Sequence, residues 1–357
     1  MIKKLQQALS GKADGIVIVS PENRRYFTRF PSSDGILIVT KSDALFLTDS
    51  RYIEAAQNSV TECRVKELKR LSEQIPEIYN EIGISEMTSP KILVESDLLS
   101  VSLLKSLRKT FSGVSLSTVG GDEIIRSLRE IKTSAEIDSI IAAQRIAENA
   151  FEHILNFIKP GVSEKDIALE LDFYMLRNGA EALSFETIAV SGAKTSMPHG
   201  VPDGSTVKSG DFVTMDFGAV VGGYHSDMTR TVAVGKISDK QIEVYNTVLK
   251  AQQNALECIK SGVSARDADS AARDIIEAAG YGKYFRHSTG HGVGIEIHET
   301  PNLSPSSHKK LAAGNVVTVE PGIYIPGEFG VRIEDMVCVT DDGCINLTNA
   351  PKNLIYC

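Results

Sequence analysis

The sequence predicts two domains of different class: an α/β domain over residues 1–130 and an α+β domain over residues 131–357. Three observations predict it. Short β-branched runs alternate with helical patterns in the N-terminal part, a long charged amphipathic stretch follows, and the remainder repeats itself in helix and strand segments of the same order. The composition is that of an ordinary globular protein, 42% hydrophobic and 24% charged, with no low-complexity tract. A formal charge of -8 argues against a nucleic-acid partner, which requires a basic face. Cys63, Cys258, Cys338, Cys344 and Cys357 are scattered, odd in number and lack a CxxC pair. They predict thiols in a reducing compartment rather than a disulfide framework or a zinc cage. The apolar run IVIV near the N-terminus is too short for a signal-peptide core, and no segment approaches a membrane span in length. A cytoplasmic protein without a membrane partner is therefore expected.

In the N-terminal domain GIVIV (15–19), GILIV (35–39), ALFLT (44–48) and KILVE (91–95) read as strands. SRYIEAAQ (50–57), LSEQIPEIYNEIG (71–83) and LSVSLLKSLRKT (99–110) read as helices, the first with Asp49 as its N-cap. The amphipathic stretch 122–159 breaks at Lys132-Thr133-Ser134, where Thr133 or Ser134 can cap a helix with Glu136 behind it. The domain boundary is placed there, near residue 130.

The second domain carries the repeat. KPGVSEKDIALELDFYMLRNGA (159–180) aligns without gaps to KSGVSARDADSAARDIIEAAGY (260–281). Each copy predicts a helix ending at Gly161 or Gly262 and a new one starting at Ser163 or Ser264, with Asp166 or Asp267 completing an S-x-x-D capping pattern. GDFVTMDFG (210–218) then matches GNVVTVEPG (314–322), which sets Asp216 on Glu320; a three-residue slide sets Asp227 on Glu334. Two α+β halves related by a pseudo-twofold axis would each contribute two carboxylates from a hairpin.

Asp216 and Asp227 are eleven residues apart across Gly222-Gly223. A two-residue loop opposes residues at odd separations, and opposed side chains share a face, so both carboxylates fall on one face. Glu320 and Glu334 are fourteen apart across PGEFG (326–330), and the even gap suits a loop of odd length. Singly, each acid reads as a surface charge or an ion-pair partner. Together, four carboxylates without intervening cations would repel and take up protons, whereas divalent metal removes the difficulty, and two ions use the available oxygens better than one. FRHSTGHGVGIEIHETP (285–301) holds His287, His291 and His298, from which one imidazole can join the acids; the HxxxH spacing would set two ligands on one helical face, but Gly290, Gly292 and Gly294 disfavour a helix. GHGVG does not have the dinucleotide-binding spacing, SGAKTS (191–196) is not a phosphate loop, and His298-Glu299 does not continue to a zinc-protease HExxH because position 302 is Asn.

DFGAVVGGYHSDMTRT, HSTGHGVGIEIHETP, TVEPGIY and GVRIEDM resemble the pita-bread metallopeptidases, the family of aminopeptidase P, prolidase and methionine aminopeptidase. NRRYFTRF (23–30) and TDSRYIEAA (48–56) resemble the creatinase/prolidase-type N-terminal domain, with Arg29 standing where such proteins commonly have Gly. The resemblance implies the pita-bread (creatinase/aminopeptidase) catalytic fold, preceded by the smaller creatinase-type domain. It implies five metal ligands, Asp216, Asp227, His291, Glu320 and Glu334, holding two divalent ions, with manganese favoured and cobalt or zinc as alternatives. Asp227 and Glu334 would bridge the ions. Glu320 would also shuttle the proton of a metal-bridging hydroxide, His298 would stabilise the oxyanion, and His199 would orient the substrate. His287 and Arg332 match further substrate-side positions, Arg332 also supporting the carboxylates. The N-terminal domain turns the expected activity from methionine aminopeptidase toward Xaa-Pro cleavage, as an Xaa-Pro aminopeptidase or, alternatively, an Xaa-Pro dipeptidase, on small peptides with proline second. A homodimer is expected on the same ground. A metal-free creatine hydrolase or a peptide-binding pseudo-enzyme would lack the complete ligand set.

Overall fold

The β-branched runs of the N-terminal part assemble into one mixed sheet, seen in a computed structural model that describes all residues from Met1 to Cys357. The chain divides into two units, Met1–Arg129 and Glu130–Cys357. In the first, the elements run α1 (Ile2–Leu9), β1 (Gly15–Ile18), α2 (Pro21–Thr28), β2 (Ile36–Thr40), β3 (Ala44–Thr48), α3 (Ile53–Ser59), β4 (Arg64–Glu67), α4 (Leu71–Glu81), β5 (Lys91–Val94), α5 (Val101–Thr110) and β6 (Ser115–Ser117), with α6 (Gly121–Glu130) reaching the boundary. The sheet order is β4-β3-β2-β1-β5-β6. Its central strands are buried throughout, which is why they read as continuous apolar runs rather than as alternating ones.

One local expectation changes, and one turn forms with an unusual residue. Asp49 does not cap α3; its carboxylate accepts from the Arg51 backbone at 2.9 Å and pairs with the Arg51 guanidinium, so the turn takes three more residues and the helix starts after Tyr52. Arg29, at the end of α2, adopts the left-handed conformation (φ 61°) for which glycine is the easy residue, and the turn forms with its side chain in place. The short, polar β4 and β6 carry too few apolar residues to stand out in the sequence.

The second unit opens with α7 (Ser134–Leu155). Thr133 is its N-cap, with the Glu136 carboxylate accepting from the Thr133 backbone and hydroxyl at 2.7 Å. Then follow α8 (Glu164–Arg177), β7 (Ala182–Leu183), β8 (Ile188–Ser191), β9 (Phe212–Phe217), β10 (Ala219–Val221), β11 (Tyr224–His225) and β12 (Met228–Ala233). The second half runs α9 (Asp239–Cys258), α10 (Ala265–Ala278), β13 (Gly290–Gly292), β14 (Glu299–Leu303), β15 (Val316–Val319), β16 (Gly322–Ile325), β17 (Phe329–Arg332), β18 (Asp335–Val339) and β19 (Cys344–Asn346).

The repeat is visible in the hydrogen bonds. Ser163 and Ser264 each accept from the amide three residues on, at 3.1 Å. Gly161 donates to Val207 and Gly262 to Leu311, and both glycines have positive φ. The helices before them stop earlier than expected, at Leu155 and Cys258, so each glycine sits in the turn beyond rather than at the helix end. The helices pack on the strands in two apolar clusters, one holding Phe151 and Leu171, the other holding Val248 and Ile276 together with Phe212 and Ala233 of the first half. No helix of the chain is long and apolar enough to cross a membrane.

Both hairpins break at acids, beside Asp227 in the first and at Glu320 and Glu334 in the second, while Asp216 stays paired within β9. The first keeps one register from Val232↔Val213 to Val221↔Tyr224 around Gly222-Gly223, both at positive φ as a two-residue turn of this hand requires. Its ladder is interrupted at Gly218 and Ser226-Asp227. A Cβ on Gly218 would lie 1.9 Å from the Ser226 carbonyl oxygen, so only glycine admits this approach. The second pairs Val319 with Asp335 and Gly322 with Arg332 around a three-residue loop, 326–328, and is interrupted at Glu320-Pro321 and Ile333-Glu334.

Replacing Gly218 with Ala should therefore destabilise the protein by about 2 kcal/mol or more and weaken its binding of added divalent metal, because the strand must move where Asp227 begins. Gly343→Ala, whose new methyl would meet nothing within 4 Å, should change neither. Thermal melting and metal stoichiometry of the two variants check this.

Candidate metal centre

Strand geometry places the four carboxylates on one wall. Asp216, near the end of β9, pairs across the ladder with Thr229, and Asp227 lies two residues before Thr229, so the two acids sit diagonally on one face. Glu320 and Glu334 occupy opposing positions between the two paired stretches of their hairpin. His291, in the centre of β13, points at the same space: its Nε2 is 3.5 Å from Asp227 Oδ2 and 3.6 Å from Glu320 Oε1. Ligand atoms of Asp227, His291 and Glu334 all lie within 4.8 Å of one another.

These side chains line a cavity of about 750 Å³, and so do the other four residues singled out in the sequence, His199, His287, His298 and Arg332. His199 comes from the loop after β8, His287 and His298 from the segments flanking β13, and Arg332 from the end of β17. His298 stands in T-shaped contact with His291, ring centroids 4.5 Å apart. His287 is tied inward. Its Nδ1 lies 2.8 Å from the Ser288 carbonyl, to which it donates, which leaves Nε2 to accept from the Tyr324 hydroxyl at 2.9 Å.

Arg332 organises the carboxylate wall. Nη2 donates to Asp216 Oδ2 at 2.7 Å, Nε to the Thr229 hydroxyl at 2.9 Å, and Nη1 to the Tyr324 hydroxyl at 2.9 Å. Thr229 in turn donates to Glu334 Oε2 at 2.7 Å, so one guanidinium orients acids from both halves. Burial by itself would favour its neutral form, but Tyr324, Asp216, Glu320 and Glu334 outweigh burial and keep it charged.

One cation does not balance this wall. Burial pushes Asp227 well above its ordinary range, and the charges of Asp216 and Glu320 push it further. Glu334 moves the same way, from burial first and then from Asp227, Glu320 and Asp216. Burial also raises Glu320, although His291 and Arg332 pull it back. The imidazoles go the other way: burial and then Arg332 lower His287 to about 4, and burial followed by His291 lowers His298, so neutral rings are favoured.

The donor set fits divalent metal. Asp216 Oδ1 is buried and has no hydrogen-bond partner, while Oδ2 is held by Arg332, so a lone pair is presented to the cavity. His291 Nδ1 donates to the Gly292 carbonyl at 2.9 Å, which fixes the tautomer and frees Nε2 as a ligand. Oxygen-rich ligation with one imidazole matches a hard or borderline cation. Thr229, Tyr324 and Thr318, which donates to Glu320 Oε1 at 3.3 Å, were not singled out in the sequence. Thr318 has a signal there, since Thr214 precedes Asp216 at the same distance; Tyr324 has none beyond lying in a metal-site motif.

Comparison with known proteins shows the family and the fold. Residues 138–341 match metallopeptidase family M24, and residues 1–131 match the creatinase/prolidase N-terminal domain. The chain is 38% identical to an Xaa-Pro dipeptidase of Pyrococcus furiosus, over 96% of this chain and 95% of that protein. Among solved structures, an Xaa-Pro dipeptidase from Bacillus anthracis superposes with a TM-score of 0.94 at 42% identity, covering 100% of this chain and 99% of that one. An X-Pro aminopeptidase from Thermotoga maritima gives 0.90 at 34% identity, with 100% and 99% covered. The pita-bread fold expected from the sequence is the fold present.

The raised carboxylates set a pH dependence. Unfolded, Asp227 and Glu334 ionise near 3.8 and 4.5, whereas the folded metal-free protein keeps their protons to higher pH. Above those values the folded state binds more protons than the unfolded one, so its stability falls as pH rises. A bound cation needs the ionised groups and reverses the penalty. The difference in melting temperature between manganese-loaded and chelated protein should therefore widen from about pH 5.5 to about pH 8. A constant difference would show that these carboxylates carry no such protons.

Proposed function

Because the chain belongs to metallopeptidase family M24, we propose that it hydrolyses the Xaa-Pro bond of dipeptides, as an Xaa-Pro dipeptidase with two divalent ions, manganese first among them. The supporting observation is the full-length similarity to proteins named Xaa-Pro dipeptidase, at 38% and 42% identity. This moves the emphasis from the aminopeptidase favoured in the sequence to the dipeptidase held beside it. Removal of the first residue from longer Xaa-Pro peptides is the second reading, supported by the Thermotoga maritima aminopeptidase.

Asp216, Asp227, His291, Glu320 and Glu334 would hold the metal, with Asp227 and Glu334 shared. When bound, such ions polarise the scissile carbonyl and lower the pKa of water. Glu320, a carboxylate on the cavity wall, is suited to accept the proton of the attacking water and return it to the leaving nitrogen. Neutral His298 can donate an imidazole N–H to the carbonyl oxygen as it gains charge. His199, an exposed residue of the loop that lines the cavity, would orient the substrate. His287 and Arg332, bound to Tyr324 and Asp216, would hold the wall rather than touch the peptide. The reading includes a cytoplasmic homodimer, to which the five free thiols are suited.

A cleavage panel on manganese-loaded protein with Ala-Pro, Ala-Pro-Pro and Met-Ala-Ser tests the substrate class. Hydrolysis of the dipeptide alone is expected; hydrolysis of Ala-Pro-Pro alone would favour the second reading, and preference for Met-Ala-Ser would overturn both. His298→Ala should lower kcat about a hundredfold with manganese content unchanged, and loss of metal would reassign it as a ligand.

A further inference from the structure

The stretch SGAKTS, which fits no phosphate loop, opens a loop that carries Pro198, His199 and Val201 along the cavity. One buried carboxylate holds both ends of this loop. Glu164, at the start of α8, is fully buried. Its Oε1 accepts from the Ser191 backbone at 2.7 Å and from the Ser191 hydroxyl at 3.1 Å. Its Oε2 accepts from Lys194 Nζ at 2.6 Å and, more weakly, from the Asp203 backbone at 3.4 Å. Lys194 also reaches the Asp203 carboxylate at 2.8 Å, closing the bracket across residues 191–203.

The internal repeat shows that the fold does not require this carboxylate. Both halves lay the segment leading into the metal hairpin against the N-terminus of their second helix: Glu164 donates its amide to the Ser205 carbonyl, and Ala265 donates to Lys309. Glu164 and Ala265 are equivalent, and both are fully buried. An alanine satisfies the scaffold in the second half, so the charge in the first half serves something particular to that half. Burying a carboxylate costs several kcal/mol unless it is paired and hydrogen-bonded, and here every partner belongs to the loop that carries His199.

We propose that Glu164 is a positioning residue: with Lys194 it clamps the two ends of the 191–203 loop and so holds His199 at the substrate side of the cavity. The middle of the loop is seated as well, since the Gly330 amide donates to the Thr195 hydroxyl at 2.8 Å and a Cβ on Gly330 would lie 2.2 Å from the Thr195 carbonyl. The clamp deepens the peptidase reading and rests on it for the identity of what His199 faces. Loss of the clamp loosens substrate binding without touching the metal ligands, which come from other strands. A contact used equally by bound substrate and transition state affects KM and leaves kcat unchanged.

The test combines hydrogen exchange, which needs no substrate, with kinetics on whichever peptide the panel shows to be cleaved. In the manganese-loaded full chain, Glu164→Gln should speed amide exchange in residues 192–202, raise KM about tenfold and change kcat less than about twofold, with manganese content unchanged. Lys194→Met leaves the buried charge unpaired and should also lower the melting temperature. Adding Glu164→Gln to it should restore the melting temperature but not KM, which separates positioning from stability. Unchanged loop exchange in Glu164→Gln overturns the clamp whether or not the protein cleaves Xaa-Pro bonds. Faster exchange with KM unchanged, or a fall in kcat together with lost manganese, overturns its link to substrate binding.

Discussion

Asp216, Asp227, Glu320 and Glu334 share one wall of the cavity, and their mutual repulsion is the constraint around which the larger unit is arranged. Such a cluster persists only with protons, cations or donors to offset it. The chain supplies one permanent cation, Arg332, and relays it through Thr229 to the other half. It leaves Asp216 Oδ1 unpartnered and His291 Nε2 free. The wall is thus organised but under-neutralised, the state a metal site needs when protein alone is present.

The internal duplication explains how such a wall is built. A single hairpin can bring two acids to one face, because parity and turn length are local properties. Four require a second hairpin placed against the first, and the repeated helix–strand unit provides it. Symmetry is kept in the backbone and given up in the side chains. Asp216 and Asp227 lie diagonally while Glu320 and Glu334 are opposed, His291 joins from one side only, and Glu164 replaces the Ala265 of the other half. The first departure changes how the acids are placed, and the other two add an imidazole and a carboxylate to one side of the unit only.

Interrupted pairing at the acids is part of the same arrangement. Side chains in a regular ladder stand side by side, roughly perpendicular to the sheet. Breaks at Gly218, opposite Asp227, and at Glu320-Pro321 let the strands bend, and ligand atoms of Asp227, Glu334 and His291 come within 4.8 Å of one another. The Gly218 contact, 1.9 Å for a Cβ, shows how closely the backbone is drawn in. The neutral His287 and His298 beside this wall keep proton donors and acceptors available in a region where a charged imidazole would be desolvated.

Much of this was legible in the residues alone. The repeat, the cap serines, the odd and even gaps between the acids, and the family motifs all lie in short spans, where periodicity and turn chemistry act locally. The first strands of the N-terminal unit were legible too, because burial on both faces makes them apolar throughout. Other features needed the folded chain. Asp49 pairs with Arg51 instead of capping a helix, and the helices before Gly161 and Gly262 stop short of them, since competing local partners decide such ends. Arg332 joins Asp216 across more than a hundred residues, Thr229 hands its bond to Glu334, and Glu164 holds both ends of a distant loop. Which lone pairs stay free is likewise a matter of what packs beside them. Spacing along a chain fixes the face on which a side chain lies, whereas its partners depend on how distant segments approach, and only the tertiary structure carries that information.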